Sequence, residues 1–355
     1  MSPDISQTSP DDRPGDTDGG RMFPGSMRLA LILATIVFAG QTAGVGQAPA
    51  SAPASRTAQA YKLVEFPAPA TSAAGFAAPW NLIQASSVAV TSKGTVLVLH
   101  RGAHPILEFD AAGKLLRSWG DGMISEGKVA GIPQANWAPD RSRYSAVYGA
   151  PGCTSCGAHS VRVDAQGNIW VVDAAGHVIY KMNPAGKEIM RLGTRGEVGA
   201  GPSHFNLPTD IAFAPNGDLY VTDGYGGARV VKFSRDGKFL MEWGKRGTGP
   251  GEFGLPHNVV VDGQGRVYVT DRDNQRIQVF DANGKFLTEW KNTGGVSGLA
   301  MTGDGHIVTG AVLRDLNGTV TTKLPDAGNA HGAAVDAAGH IYLAQLTGVV
   351  QKYVR

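Results

Sequence analysis

Apolar and polar residues alternate in short runs along most of the chain, and turns containing glycine separate one run from the next. Alternation with a period of two predicts β-strands that bury one face. Four of the turns end in a glycine followed by a lysine: Gly113, Gly186, Gly237 and Gly284. Glycine supplies the positive φ that tight hairpins require. With no helical pattern between these runs, the sequence predicts an all-β fold.

The strand pattern returns as a repeat. Gly167, Gly217 and Gly265 hold the same place in three successive copies and lie 50 and 48 residues apart. Four short antiparallel strands in about 40–50 residues are typical of a propeller blade. Six copies are found, beginning near Ser87, at His159, near Thr209, at His257, near Ser297 and at His331. We therefore predict a six-bladed β-propeller over residues 61–355.

The two ends of this ring are expected to meet. The sequence ends three strands into the sixth copy, whereas residues 61–66 form an extra strand before the first copy. An N-terminal strand that completes the last blade would close the ring and remove an open sheet edge. Residues 121–157 do not fit the repeat, and we expect this insert to lie on one face of the ring, which is often the binding face.

The first 60 residues follow a different pattern. Residues 1–26 are rich in Ser, Pro, Gly and Asp, and we expect this leader to be disordered. Within residues 27–48, Arg28 precedes an apolar run over 29–39 that small residues follow, which favours a signal peptide over a membrane anchor. Residues 49–60 are predicted to be a linker. The propeller is thus expected to be periplasmic or extracellular, with membrane contact only through residues 29–46 if that segment stays uncleaved.

Charge and cysteine content narrow the choice of partners. The net charge is +2 and no block of like charges occurs, so we expect no nucleic-acid partner. We expect a monomer that takes a small-molecule or peptide C-terminal substrate. Cys153 and Cys156 are the two cysteines of the sequence. In an exported protein they favour a small disulfide within the insert over a redox or accessory metal role.

Three of the nine histidines occupy one slot of the repeat. His159, His257 and His331 stand where the innermost strand begins in the second, fourth and sixth blades. Equivalent positions of alternate blades converge on the central channel, where three imidazoles with one open side would form a catalytic zinc site. Iron and cobalt are alternative ions. A single histidine here would more simply bond a neighbouring carbonyl, but three on alternate blades favour a metal. His177, His306 and His340 are expected to be structural or exposed.

The sequence resembles the NHL-repeat propellers, and more closely the peptidyl-α-hydroxyglycine α-amidating lyases, over about residues 85–355. The residues that carry the resemblance are His100-Arg101-Gly102-Ala103-His104, Leu207-Pro208-Thr209-Asp210, Asp223-Gly224-Tyr225, Leu255-Pro256-His257 and Asp271-Arg272-Asp273-Asn274-Gln275-Arg276. The resemblance implies a zinc-dependent lyase that splits the C–N bond of an N-acyl α-hydroxyglycine to give an amide and glyoxylate.

The resemblance also assigns roles to residues. It places the zinc ligands on His159, His257 and His331, the active-site tyrosine on Tyr225 and the two active-site arginines on Arg101 and Arg272. Two departures stand against a full match. The family has an aspartate for a structural calcium directly after the third histidine, whereas this chain has Gly332, so calcium is not expected. Asn206 and Gly226 replace the cysteines of a disulfide beside the tyrosine.

The sequence leaves two alternatives to a carbon–nitrogen lyase. The first is a non-catalytic NHL propeller that binds a protein or polymer outside the cytoplasm. The second is a metal-dependent lactone or ester hydrolase. A fold of this class does not decide among them. Whether the chain is an enzyme therefore depends on the geometry of the histidines.

Overall fold

The alternating pattern forms strands that fall into six antiparallel sheets of four. A computed structural model describes residues 60–67, 82–126, 153–328 and 330–355. The all-β, six-bladed propeller predicted from the repeat is confirmed. The leader, the signal peptide or anchor, the linker up to residue 59 and most of the insert lie outside the described residues.

Each of the first three blades is a run of four consecutive strands. The first blade has β2 (Ala85–Val90), β3 (Val96–His100), β4 (Ile106–Phe109) and β5 (Leu115–Trp119). The second has β6 (Ala158–Val163), β7 (Ile169–Asp173), β8 (Val178–Met182) and β9 (Glu188–Leu192). The third has β10 (Asp210–Phe213), β11 (Leu219–Asp223), β12 (Arg229–Phe233) and β13 (Phe239–Trp243).

The last three blades follow the same order until the chain ends. The fourth has β14 (Pro256–Val261), β15 (Val267–Asp271), β16 (Arg276–Phe280) and β17 (Phe286–Trp290). The fifth has shorter strands, β18 (Leu299–Met301), β19 (Ile307–Thr309), β20 (Val312–Arg314) and β21 (Val320–Lys323). The sixth has β22 (Gly332–Val335), β23 (Ile341–Gln345) and β24 (Val349–Val354), and β1 (Lys62–Val64) pairs with β24 as its fourth strand.

The first strands of successive blades contact one another around a complete circle, from β2 through β6, β10, β14, β18 and β22 back to β2. Each first strand therefore lines the central channel, and residues at its start lie at one mouth of it. The second strands are buried along their whole length in the first four blades, whereas the fourth strands expose apolar side chains such as Leu116 and Leu240. Burial thus decreases from the channel to the rim, as expected for a propeller.

Apolar side chains between neighbouring blades form the core. Phe66, which follows β1, packs edge-on against Phe109 of the first blade and Tyr342 of the sixth. The N-terminal segment thus contributes to the contact between the first and last blades. In the hairpin turns, the Asp110 carboxylate accepts hydrogen bonds from the amides of Ala112 and Lys114, and Asp281 does the same for Asn283 and Lys285. Such side-chain bonds stabilise the tight turns that the sequence predicts.

Within the described ranges, no helix is long and apolar enough to cross a bilayer.

His177 makes the stability of the fold sensitive to acid. It is buried between β7 and β8, its backbone has a φ of 56°, and its Nδ1 accepts a hydrogen bond from the Leu207 amide. Burial lowers the pKa of His177 from 6.5 to about 4. At pH values between about 4 and 6.5, His177 therefore binds a proton in the unfolded chain but not in the folded chain. This contribution to stability is present above pH 6.5 and is lost as the pH falls, by up to about 3 kcal/mol.

The variant His177→Asn isolates this effect. Asparagine tolerates positive φ, and its side-chain oxygen can replace Nδ1 as the acceptor for Leu207. We expect similar stability at pH 8 and a smaller loss of stability between pH 6.5 and 4 than in the parent protein. Denaturant unfolding at each pH measures both. Identical pH dependence in the two proteins would contradict the assignment.

Candidate metal centre

Three histidines from alternate blades meet at one mouth of the channel. His159 lies in β6, His257 in β14, and His331 directly precedes β22. Their possible ligand atoms all lie within 4.8 Å of one another, and their ring centres are 4.7–4.8 Å apart. All three side chains are buried. The convergence expected from the repeat is therefore what the structure shows.

The same nitrogen of each ring is held by an oxygen from another part of the chain or from a neighbouring side chain. Nδ1 lies 2.5 Å from the Thr209 carbonyl oxygen in His159, 2.7 Å from Asn258 Oδ1 in His257 and 2.7 Å from the Ser86 carbonyl oxygen in His331. Since carbonyl oxygens only accept, each Nδ1 carries the proton and each Nε2 keeps its lone pair. Oxygen partners of this kind orient histidine ligands in metal sites.

Two of these Nε2 atoms are buried and unsatisfied. Among the described residues, Nε2 of His257 and Nε2 of His331 find no hydrogen-bond partner, and Nε2 of His159 lies 3.2 Å from the Tyr225 hydroxyl. Buried polar atoms without a protein partner are rare, and a bound ion or water is their usual partner. Three converging imidazole lone pairs are the donor set of a zinc site that keeps an open position. The residues present therefore fit a bound metal.

Electrostatics keep the three rings neutral. Burial, together with the positive charge of Arg101, lowers the pKa of His331 to about 3. Burial is the largest cause, and the electrostatic effect of His331 the second, that hold the pKa values of His159 and His257 well below 6.5. A metal-binding imidazole must be unprotonated. The site therefore needs no proton release from these rings to bind a cation at neutral pH.

Tyr225 lies in the turn after β11, and its ring stands edge-on to His159 with centres 5.5 Å apart. The turn is pressed against the next blade, because a Cβ at Gly224 would fall 2.1 Å from the Pro256 carbonyl oxygen. The glycine of the Asp-Gly-Tyr motif thus permits the approach that brings Tyr225 to the histidines. Its side chain is buried, not the exposed turn aromatic that such a position usually holds.

The two candidate arginines approach the histidines from different blades. Arg272 begins a one-turn 3-10 helix, Arg272–Asn274, and its guanidinium lies 5.7 Å from the centre of the Tyr225 ring. Arg101 follows β3 and is buried, with Nη1 donating to Gln84 Oε1 over 2.7 Å. Both positive charges act on the histidines, because Arg101 and Arg272 each lower the pKa values of His159 and His331. The structure thus brings all six predicted site residues together.

A cavity of about 640 Å³ opens beside the histidines over the short fifth blade. Arg272 and His331 line it, together with Asp273, Gln275, Gly295, Ser297, Ala330, Leu346 and Thr347. The repeat marks Ser297 as the fifth-blade counterpart of the histidines, and Asp273 and Gln275 belong to the motif that contains Arg272, but the sequence pattern singles out none of the other lining residues. A second cavity, of about 330 Å³, lies between Trp170 and Phe213 at the opposite ends of the first strands and is separate from this site.

The described end of the insert contacts the backbone of one of the candidate site residues, Arg101. Cys153 and Cys156 form the disulfide that the sequence favours. The amides of Thr154 and Ser155, between the two cysteines, donate to the carbonyl oxygen of Arg101 over 3.0 and 3.1 Å. The disulfide loop thus fixes the backbone of Arg101, whose charge acts on His159 and His331 of the candidate metal centre. Asn206 and Gly226, which replace the cysteines of the family's disulfide, lie against each other, and the Gly226 amide donates to the Asn206 carbonyl oxygen over 3.0 Å.

Fold and site together define a six-bladed β-propeller with a tri-histidine centre in its channel. A family model described as a 6-bladed beta-propeller matches residues 206–293. The chain is 34% identical over 167 residues to peptidylglycine alpha-amidating monooxygenase of Rattus norvegicus, a match that covers 46% of this chain and 16% of the rat protein. It is 39% identical over 90 residues to peptidyl-alpha-hydroxyglycine alpha-amidating lyase 1 of Drosophila melanogaster, covering 24% and 16%.

The matched part is thus less than a fifth of either relative. Among solved structures, a streptogramin B lyase aligns with a TM-score of 0.50 and 15% identity, covering 77% of this chain and 95% of that one. At this identity the likeness concerns the fold alone. The sequence matches make this chain a propeller similar to amidating lyases, in agreement with the resemblance inferred from its motifs.

Proposed function

We propose that the protein is a metal-dependent lyase that cleaves the C–N bond of an N-acyl α-hydroxyglycine-type carbinolamide, giving an amide and glyoxylate. One observation carries the proposal. Three buried imidazole Nε2 atoms converge beside the hydroxyl of Tyr225. An N-acyl α-hydroxyglycine carries a hydroxyl and a carboxylate on the same carbon, and both groups have a partner in this arrangement.

His159, His257 and His331 would hold the metal, with zinc the ion that suits three imidazoles and an open position. Zinc supplies a Lewis acid that stabilises negative charge on a bound oxygen. Arg272 lines the cavity and presents a guanidinium that can pair with the substrate carboxylate through two parallel hydrogen bonds. Arg101 adds a second positive charge from the buried side, which favours an anionic substrate at this mouth.

Tyr225 would move the proton. Its phenolate oxygen takes the proton from the substrate hydroxyl and becomes a neutral hydroxyl, the C–O bond becomes the carbonyl of glyoxylate, and the C–N bond breaks with its electron pair on nitrogen. The same oxygen then returns the proton to nitrogen, so that atoms and charge balance. The Arg272 guanidinium over the tyrosine ring stabilises the negative charge that the oxygen carries before the first transfer and after the second.

The Cys153–Cys156 disulfide supports the further proposal that the protein acts outside the cytoplasm, because disulfides persist in oxidising compartments. The polar lining of the cavity supports a small-molecule or peptide C-terminal substrate.

The test is elemental analysis of the purified chain together with a product assay on α-hydroxyhippurate. We expect one zinc per chain and equal amounts of amide and glyoxylate, both lost after removal of the metal and restored by zinc. An ester and a lactone of similar size are assayed in parallel. Hydrolysis of these without glyoxylate release would replace the lyase by a metal-dependent hydrolase. Folded protein that is metal-free and inert would favour a binding module.

A further inference from the structure

An ion pair between a partly buried arginine and a fully buried aspartate crosses the channel beneath the histidines. Arg162 lies in β6, three residues after His159, and its Nε and Nη2 donate to the two carboxylate oxygens of Asp210 in β10 over 2.9 and 2.5 Å. Asp210 is fully buried. Nη1 of Arg162 also donates to the carbonyl oxygens of Leu299, over 3.2 Å, and Ala333, over 3.1 Å. One guanidinium therefore joins the second, third, fifth and sixth blades.

The Asp210 carboxylate extends this contact to the fourth blade. It accepts from Asn258 Nδ2 over 2.8 Å and from the Val259 amide over 3.2 Å. The other atom of the Asn258 amide, Oδ1, is the partner of His257 Nδ1. A continuous hydrogen-bonded chain thus runs from Arg162 through Asp210 and Asn258 to His257. With its nitrogen fixed by Asp210, the Asn258 side chain can offer only its oxygen to the histidine ring.

The residues present do not fit the calcium that the resemblance implies. Gly332 stands where the family has an aspartate, and a Cβ there would fall 2.7 Å from Ser87 Cα and 2.9 Å from the Ser86 carbonyl oxygen. A carboxylate at this position would require the first blade to move away. Instead, Ser87 Oγ lies 3.4 Å from the Val161 carbonyl oxygen, and the Arg162 guanidinium bonds the carbonyl of Ala333, the residue after Gly332.

We propose that Arg162 and Asp210 form an internal brace that takes the place of the structural calcium ion that the resemblance implies, and that Asp210 is a positioning residue that orients His257 through Asn258. A guanidinium carries the positive charge that carbonyl oxygens at the channel attract, and unlike an ion it cannot dissociate. The second half of the proposal rests on the proposed metal centre, whereas the first half does not. The protein is therefore expected to be independent of calcium.

The calcium half is tested by thermal unfolding of the full chain with EGTA, with calcium chloride and with neither. We expect the same unfolding temperature in all three and no calcium by elemental analysis after purification in its presence. A fall in unfolding temperature with EGTA that calcium reverses would overturn the brace. This measurement needs no substrate and no zinc, so its outcome is separate from that of the proposed function.

The positioning half is tested by the zinc affinity of Asp210→Asn, measured by competition with a chelating dye. Loss of an outer hydrogen-bond partner typically weakens metal binding about 10–100-fold, and we expect a loss in this range. Asp262→Asn is the matched control, because Asp262 is also buried and paired with an arginine, Arg266, over 2.7 Å. In the part of the chain that the structure describes, its carboxylate bonds Gln264, Arg266 and Tyr268, none of which holds a histidine of the centre. We expect it to bind zinc like the parent protein.

Asn258→Ala serves as a second variant should Asp210→Asn fail to fold, since it breaks the chain of bonds but leaves the Arg162–Asp210 pair. We expect the same range of loss. Unchanged zinc affinity in a folded Asp210→Asn or Asn258→Ala protein would overturn the positioning role, as would a parent protein that binds no zinc. In the last case the unfolding measurement with EGTA still decides the calcium half.

Discussion

Replacing His257 with alanine is expected to remove the bound metal and to lower glyoxylate release by on the order of 10³-fold or more. A Lewis-acid metal contributes several kcal/mol of transition-state stabilisation, and each 1.36 kcal/mol is a factor of ten in rate. His257 is fully buried and its Nε2 faces the other two histidines. Elemental analysis and the product assay on the same preparation measure both effects.

His306→Ala is the matched control for this substitution. His306 lies in a turn of the fifth blade, pairs with Asp304 over 3.1 Å and is partly exposed. We expect it to keep its zinc and its activity. Circular dichroism of both variants tests that the strands persist. A folded His257→Ala protein with full metal content and full activity would remove His257 from the ligand set and would contradict the proposed centre.

The strand order and the ligand histidines could be predicted because both depend on the repeat. Alternation with a period of two locates each strand, and a glycine turn marks each hairpin, so that equivalent slots of successive blades can be aligned. His159, His257 and His331 then stand out as one slot filled by the same residue in alternate blades. The geometry of a closed ring converts that regularity into proximity.

The groups that bond the Nδ1 atoms of the three histidines could not be predicted from the repeat. Thr209 bonds the Nδ1 of a histidine with its backbone carbonyl from the neighbouring blade, and Asn258 does so with its side chain. Ser86 uses its backbone carbonyl across the junction of the first and sixth blades. Backbone carbonyls are present at every residue, so the sequence carries no sign of which ones point at a ring. In the sequence, Arg162 and Asp210 are two charged residues on strands, 48 residues apart. Only the folded structure shows that they form an ion pair.

The cavity beside His331 could not be predicted from the sequence either, for a different reason. It opens over the fifth blade, where the strands are only three or four residues long and the connections around Gly295 and Ser297 are short. In the sequence, such short strands appear only as a weak copy of the repeat, and they give no indication of a cavity. In three dimensions the same shortening leaves space between Arg272 and Thr347 beside His331. The irregular blade in this regular ring thus coincides with the cavity.

Replacing Tyr225 with phenylalanine is expected to lower kcat by about 10²–10⁴-fold, the usual contribution of a group that transfers a proton in the transition state. The zinc content should stay at one per chain, because Tyr225 contacts His159 Nε2 at 3.2 Å without belonging to the three converging imidazoles. KM should change little, since Arg272 still lines the cavity. Steady-state kinetics with α-hydroxyhippurate separates the two parameters.

Tyr220→Phe provides the comparison, because Tyr220 lies on the same blade, is buried, and uses its hydroxyl to donate to the Ala282 carbonyl over 2.9 Å. It removes the same atom from a purely structural position, and we expect kcat to remain within about twofold because it makes no contact with the reacting groups. A Tyr225→Phe protein that loses zinc would make the hydroxyl a metal-site component. One that keeps both zinc and kcat would assign the proton transfer to a different group of the cavity.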